Sequence, residues 1–474
     1  MAVSESQHHR PREVIEPRWQ EVTSFADLVR ATEPAIMWLG EAVDPPPPID
    51  LLFPELANAE VRTHHFYLPT GRARIGLACL PQAIVSGRSL VGSPTHLYRL
   101  GPMTAAYVDD FLKDNMPVGD RDLGGKAERL VPGVSVLLTH WNIETYGHWL
   151  LEGLPRLLLL RRLLDELPPL RILLPRSAPG FIRDWIDLVL PAAKVALYDD
   201  DTEYLLVETL LVPTVLFVSR GHHFHPELVS LLDELLPPQR QGADARLYVA
   251  RFQPDNFRQL SNREEIEAIA VSEGLELVRP ETMPITEQIA LFARARIIVG
   301  DFGSAMHNTL FSPPGALVLC LNMVTGLQTR IAELKRQRVG YLLPSSGEAV
   351  MYRFGAPRKS YHIDPQQFRA YVRACHAISR GHEPGSSDLA PPHRSGEGTS
   401  EEPRDALGAG LEAAPSPMLA PTGSTNRRAI APALTPVKRL ISRGVKVVWW
   451  TVTLQLPRRL RAYRAYRSAR PPAE

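Results

Sequence analysis

The chain has 474 residues, 44% hydrophobic and 22% charged, which is long and apolar enough for two or three ordinary domains and excludes a wholly disordered, fibrous or many-pass membrane protein. Its 53 basic and 52 acidic residues nearly cancel, but not locally: residues 427–474 hold 12 Arg and Lys against Glu474 alone, and the first 426 hold 41 basic against 51 acidic. An acidic body with a basic arm suits contact with a polyanion or an anionic membrane through that arm.

Cys79, Cys320 and Cys375 lie far apart in no metal or redox spacing, which fits a reducing compartment. The polar start MAVSESQHHRPREVIEPRW has no apolar signal region, and no stretch approaches 18 uninterrupted apolar residues, so neither secretion nor a spanning helix is expected.

In chain order, residues 1–55, with the stiff run Pro45 to Pro48, read as an irregular lead-in. VSVLLTH (134–140) reads as a buried strand. YGHWLLEGLPRLLLLRRLLDEL (146–167) reads as a helix interrupted at Pro155, RILLP (171–175) as a strand and FIRDWIDLVL (181–190) as a helix. LLVETLLVPTV (205–215) is extended, and PELVSLLDELL (226–236) is helical. After the polar break PPQRQGADA (237–245), a second cycle follows. RLYVAR, LELVRP, RIIVGD and ALVLCL are strands; NREEIEAIAVSEG, ITEQIALFARA and SAMHNTLF are helices. Continuous apolar strands separated by amphipathic helices imply parallel sheets covered on both faces. The expected architecture is α/β, with two Rossmann-like domains facing across a cleft, over 56–240 and 241–380. From Gly381 to Asn426 aromatic and β-branched residues almost vanish, so 381–435 is expected to be a disordered linker.

Ligands in such sheets bind beyond the carboxyl ends of strands. After RIIVGD, the chain turns through Asp301 and Phe302, and Gly303 with Ser304 opens a helix whose free N–H groups suit a diphosphate; an ordinary turn capped by Asp301 or Ser304 is the plainer alternative. No G-x-G-x-x-G or G-x-x-x-x-G-K-[ST] run is present. Arg251 ends a strand and Arg258 follows in the loop; two guanidiniums there would suit a pyrophosphate, or stand as solvated surface charges. Asn262 or Ser261 can cap the next helix. His148 and Glu152 are four apart, so on a helix they share a face and either can act as a general base toward a hydroxyl. Trp149 and the leucines turn to the core, and Arg156 faces the cleft or pairs with an acid. His222, His223 and His225 lack a matching ligand pattern, and a loop ahead of a helix is the reading taken.

Together these windows resemble glycosyltransferase family 61. Thr145-Tyr146-Gly147-His148-Trp149-Leu150-Leu151-Glu152-Gly153-Leu154-Pro155-Arg156 is similar to its motif N-Y-G-H-W-L-x-[DE]-x-L-P-R. Ala250-Arg251, Arg258 and Asn262-Arg263 are the counterparts of a later strand ending in S-R, then an R and an N-E. Glu287, Gln288, Ile289, Leu291, Phe292 and Ala295 match E-Q-I-x-L-F-x-x-A. Gly300 through Gly315 match G-x-H-G-A-G-L-x-N-x-x-F-x-x-P-G, with Asn308, Phe311, Pro314 and Gly315 kept. The similarity covers roughly residues 60–375. Two positions depart: Phe302 stands where the family has His, and Cys320 where it has Glu. The resemblance implies a GT-B arrangement and inverting transfer from a nucleotide-sugar donor to a hydroxyl of a surface polysaccharide or lipid-linked glycan precursor, with no bound metal or other cofactor. It implies Glu152 or His148 as base, Arg251, Arg258, Asn262, Asp301, Gly303, Ser304, His307 and Asn308 at the donor, and Tyr146 and Arg156 at the acceptor or cleft. A non-catalytic glycan-binding protein of the same fold, or another nucleotide-sugar enzyme such as an epimerase, are the alternatives.

Residues 436–474 place Lys438, Arg439, Arg443 and Lys446 opposite Leu440, Ile441, Val445, Val448 and Trp449 at helical spacing, followed by Tyr463 and Tyr466 among six arginines. Basic residues near an anionic leaflet contribute about 1 kcal/mol each. An in-plane membrane anchor is expected, with no nucleic-acid partner, placing the protein in the cytoplasm at the inner face of the cell membrane.

Overall fold

The computed structural model describes residues 11–53, 71–103, 122–139, 144–218, 223–236, 244–251, 258–322, 326–344 and 359–382. The expected linker from position 383 onward, the basic segment 436–474 and His222 lie outside these residues. All described residues belong to one compact unit, Met1–Met351 with Lys359–Pro391.

The first half forms a mixed sheet from β1 (Glu13–Ile15), β2 (Gln20–Val22), β3 (Ala35–Trp38), β4 (Gly76–Ser86), β5 (Leu90–Gly92), β6 (His96–Tyr98), β7 (Ala127–Leu137), β8 (Leu170–Pro175), β9 (Lys194–Tyr198) and β10 (Glu203–Pro213). Its order is β1-β6-β5-β4-β10-β7-β8-β9, with β3 joining β4 and β2 joining β3. Strands β10, β7, β8 and β9 run parallel, as expected. The correction concerns β4, which lies antiparallel to β10 and carries the β5 and β6 meander, so this sheet is not purely parallel.

β7 is longer than the 134–140 strand read from the sequence, because Pro132-Gly133 interrupts the apolar run without ending the strand. Gly133 takes φ 74°, and the register shifts so that Pro132 and Gly133 of β7 together oppose Glu208 of β10, whose carboxylate accepts from the Gly133 N–H. The lead-in is also more ordered than expected. It supplies β1 to β3 and the short helix Phe25–Arg30, capped by Ser24, and the Leu52 N–H donates to Val339 O at the edge of the second sheet.

β11 (Phe217–Val218) and β12 (His223–Phe224) form a small hairpin. The second sheet is wholly parallel, as the apolar strands predict: β13 (Ala245–Val249), β15 (Glu276–Val278), β16 (Ala295–Asp301), β17 (Leu317–Leu321) and β18 (Arg338–Leu342), in the order β15-β13-β16-β17-β18. β14 (Arg258–Leu260) pairs separately with β19 (Lys359–Tyr361).

Strand alternation gives this sheet two distinct faces. Leu247, Val249, Ile298, Val318 and Cys320 join the large core shared with the first half, including Trp149, Trp185, Met306 and Phe311. Tyr248, Ile297, Val299, Leu317 and Leu319 join Phe368, Tyr371 and Cys375 of the helix Pro365–Ser379 on the other side. Trp185 and Phe311 stack across the halves with centroids 6.0 Å apart, so the first-half helix Gly180–Val189 and the turn after β16 are held face to face. No helix among the described residues is long and apolar enough to cross a membrane.

Candidate active site

His148 and Glu152 sit on one helical stretch with an irregular middle. Tyr146–His148 is an α turn, Trp149–Gly153 a π turn, and Leu154–Leu163 an α-helix. Pro155 has no N–H to give the Leu151 carbonyl, and the helix widens in the turn ahead of it, where the Leu154 N–H reaches Trp149 O. Trp149 is buried as expected. His148 Nδ1 donates to Glu152 Oε1 at 2.7 Å; the glutamate side chain is 2% exposed and the histidine 34%. An ionised carboxylate only accepts, so this bond puts the imidazole proton on Nδ1 and makes Nε2 the nitrogen through which the ring would act as a base.

Opposite this helix stands the turn after β16. Gly303 precedes a helix over Ser304–Phe311, which is 3₁₀ rather than the α-helix expected, and no side chain caps it. Arg251, just past β13, donates from Nη1 to Phe302 O at 3.0 Å, and a Cβ on Gly303 would sit 2.9 Å from that nitrogen. The guanidinium is therefore laid along the start of the 3₁₀ helix, beside its first backbone N–H groups.

Gly147 brings the two parts together. A Cβ there would fall 2.6 Å from His307 Nδ1 and 2.9 Å from Ser304 Oγ, closer than any side chain permits. His307 is buried with its ring nitrogens against the Gly147 backbone. Burial, and then the nearby His148, push its pKa down to about 4, with the facing Gly147 backbone opposing, so the ring is neutral at pH 7. Its ring meets Phe302 edge-on at 6.0 Å. One residue earlier in the chain, the Tyr146 hydroxyl donates to Gln288 Oε1 (3.2 Å) and Asn308 Oδ1 (3.4 Å). Asn308 Nδ2 donates to Gln288 Oε1 (3.2 Å), and Gln288 Nε2 to Met283 O (3.0 Å). Burial raises the Tyr146 pKa, which keeps its hydroxyl a donor in this network.

The structure thus gathers Tyr146, His148, Glu152, Arg251, Gly303, Ser304, His307 and Asn308, and gives four other expected residues different surroundings. Arg156 does not face a cleft: it is buried and donates to the main-chain carbonyls of Leu138 (3.3 Å) and Met103. Asn262 stands at the start of the helix Arg263–Ser272 but makes no side-chain cap. Its amide instead donates to Ile363 O (2.9 Å) and accepts from Ile363 N (3.3 Å), fastening one segment to another. Asp301 follows Ile297 and Val299 onto the opposite face of the sheet, toward Tyr248 and Tyr361, whose pKa values are raised by burial first and then by the Asp301 charge. Arg258 lies in β14, paired with β19; its side chain is outside the described residues.

Gln288 was not among the expected site residues. Its signal was a polar side chain at the phase of Leu291 and Phe292, the buried stripe of the helix Ile285–Phe292. Cys320 is a buried thiol of β17. Burial and then Asp301 raise its pKa, so it stays neutral where the family carries a carboxylate. His223 Nε2 lies 3.1 Å from Val43 O, and His225 Nδ1 accepts from Glu227 N at 3.1 Å; among the described residues no group of acids, histidines and cysteines is arranged to hold a metal.

No curated protein matches the chain. Residues 146–319 match the family model Glycosyltransferase 61, a span that begins at the tyrosine ahead of the His148–Glu152 pair and runs through Arg251 and the Gly303 turn. The chain therefore carries a glycosyltransferase 61 region, and that region supports glycosyltransferase activity.

Proposed function

We propose that the protein is an inverting glycosyltransferase of GT-B arrangement that moves a sugar from a nucleotide-sugar donor to a hydroxyl of a surface polysaccharide or lipid-linked glycan precursor. The observation that carries this reading is the contact at Gly147, which sets the His148–Glu152 pair against the turn that Arg251 and Gly303 build. His148 Nε2 takes the proton of the acceptor hydroxyl, and Glu152 stabilises the resulting imidazolium through Nδ1. The acceptor oxygen attacks the anomeric carbon from the face opposite the phosphate. The bond from that carbon to the phosphate oxygen breaks, and the nucleoside diphosphate leaves with the electron pair. The Arg251 guanidinium and the first N–H groups of the 3₁₀ helix meet its growing charge, so the reaction needs no metal in this reading and should persist in a chelator.

The experiment is a screen of nucleotide sugars against surface glycan acceptors, reading nucleoside diphosphate release and the anomeric configuration of the product. Transfer with inversion, lowered about 10²-fold by Arg251→Ala, is expected. Retention of configuration, or no transfer with any donor, overturns the reading. The composition of residues 436–474 supports attachment to the anionic inner face of the membrane. Removing 427–474 should then release the protein to the soluble fraction, and unchanged partitioning would rule the anchor out.

A further inference from the structure

The ligand edge of a parallel sheet is the row of its carboxyl ends. In the second sheet two adjacent ends belong to the proposed donor site, Arg251 after β13 and Phe302 to Ser304 after β16. The next end in the row, after β17, carries Asn322. Leu321 pairs with Asp301, and Phe302 N donates to Leu321 O at 3.3 Å, so Asn322 stands directly beside the Phe302 turn. Its own N–H donates to Leu342 O (3.0 Å) at the end of β18, and its φ is 82°, in the left-handed region.

Its side chain is the anomaly. Asn322 is 0% exposed, and neither Oδ1 nor Nδ2 has a hydrogen-bond partner. Buried carboxamides are almost always paired, and an unpaired one on a left-handed backbone at a ligand edge has the character of a group kept for a ligand. The backbone alone does not call for asparagine, because glycine adopts this φ at no steric cost. A carboxamide both donates and accepts. A diphosphate only accepts, and it already has Arg251 and the backbone N–H groups; the complement of Asn322 is a hydroxyl, which does both.

We propose that Asn322 is a specificity-determining residue of the donor site, hydrogen-bonding hydroxyl groups of the nucleotide sugar, on its ribose or on the sugar to be transferred. This rests on the donor reading above. Because the amide is enclosed, the donor must displace its cover on entry, and the hydrogen bonds then form away from water, where they discriminate most strongly.

The test is calorimetric titration of the full chain with UDP, UDP-glucose, GDP and GDP-mannose, for the wild type, Asn322→Gly and Asn322→Asp, with a thermal melt of each. Asn322→Gly preserves the backbone and should melt at or above the wild-type temperature. It should bind the nucleotide sugar roughly tenfold more weakly, the loss of one good hydrogen bond. A loss shared by nucleoside diphosphate and nucleotide sugar places the hydroxyls on the ribose; a loss for the nucleotide sugar alone places them on the transferred sugar. Asn322→Asp, which keeps the shape, should weaken binding as well. Wild-type affinity in both variants overturns the proposal and leaves asparagine a turn residue only. A wild type that binds none of the four probes overturns the donor reading and this inference with it, so the two failures are told apart.

Discussion

Two regions of the second half treat their polar groups in opposite ways. Where the helix Pro365–Ser379 docks, its cap and its charged side chains find partners within the chain. Asp364 caps Gln367 N at 2.7 Å, and the Glu273 carboxylate accepts from Arg373 Nε and Nη2, both at 2.9 Å, and from Arg369. His376 Nε2 lies 2.9 Å from Glu273 O, and Asn262 clasps Ile363. At the carboxyl ends of the sheet, both amide atoms of Asn322 lack partners. A buried polar group without a partner costs about 1–3 kcal/mol. The docking helix is fastened for stability, whereas the sheet edge holds, in Asn322, a carboxamide with no complement among the described residues.

Substitutions on the two sides of this contrast should therefore separate activity from stability. The largest effect is expected at the base. Glu152→Gln keeps an acceptor for His148 Nδ1 but removes the charge that supports the imidazolium, and turnover should fall by about 10²–10⁴-fold with the donor KM nearly unchanged, as initial rates of nucleotide release would show. An equal fall in donor affinity would instead make Glu152 a binding residue.

His307 offers an intermediate effect, on stability. Unfolded, its imidazole takes a proton near its ordinary pKa of 6.5; folded, only near 4. The folded pKa is the depressed one, so the contribution is complete above pH 6.5 and is lost as pH falls toward 4, by up to roughly 3 kcal/mol. Urea midpoints at pH 7.5 and 5 should drop less in His307→Asn than in the wild type; parallel drops would show that His307 is not the group responsible.

The smallest effect belongs to the docking region. Asn262→Ala removes both bonds to Ile363 and should cost about 1–2 kcal/mol in a denaturant titration, while kcat and KM stay at wild-type values. A selective loss of donor affinity would return Asn262 to the donor site.

What was legible in the chain follows from the range of each interaction. The four-residue spacing of His148 and Glu152 needs only one helical stretch, and it survives the π turn between them. The parallel strands of the second half announce themselves as unbroken apolar runs bounded by polar turns. β7 was half hidden because Pro132 and Gly133 look like a strand end, while in the sheet they form a bulge within β7 opposite Glu208 of β10 and pairing continues past them. Arg156 and Asn262 bear side chains that suit a phosphate site as well as a main-chain carbonyl. Residue type cannot separate those uses; their partners Leu138, Met103 and Ile363 do.

The amino-acid order thus established the α/β class of the second half, the acid–imidazole pair on one helical face, the glycine turn after β16 and the family motif running through them. Only the tertiary structure decided that Gly147 meets His307 across 160 positions of chain, that Arg251 reaches Phe302 rather than solvent, and that Asp301 turns to the far face. The physical reason is that periodicity records which face of an element is apolar, a local property. Which polar group lies against which is set by how separate elements close on one another, and there a missing Cβ or a one-residue step along a strand decides the outcome.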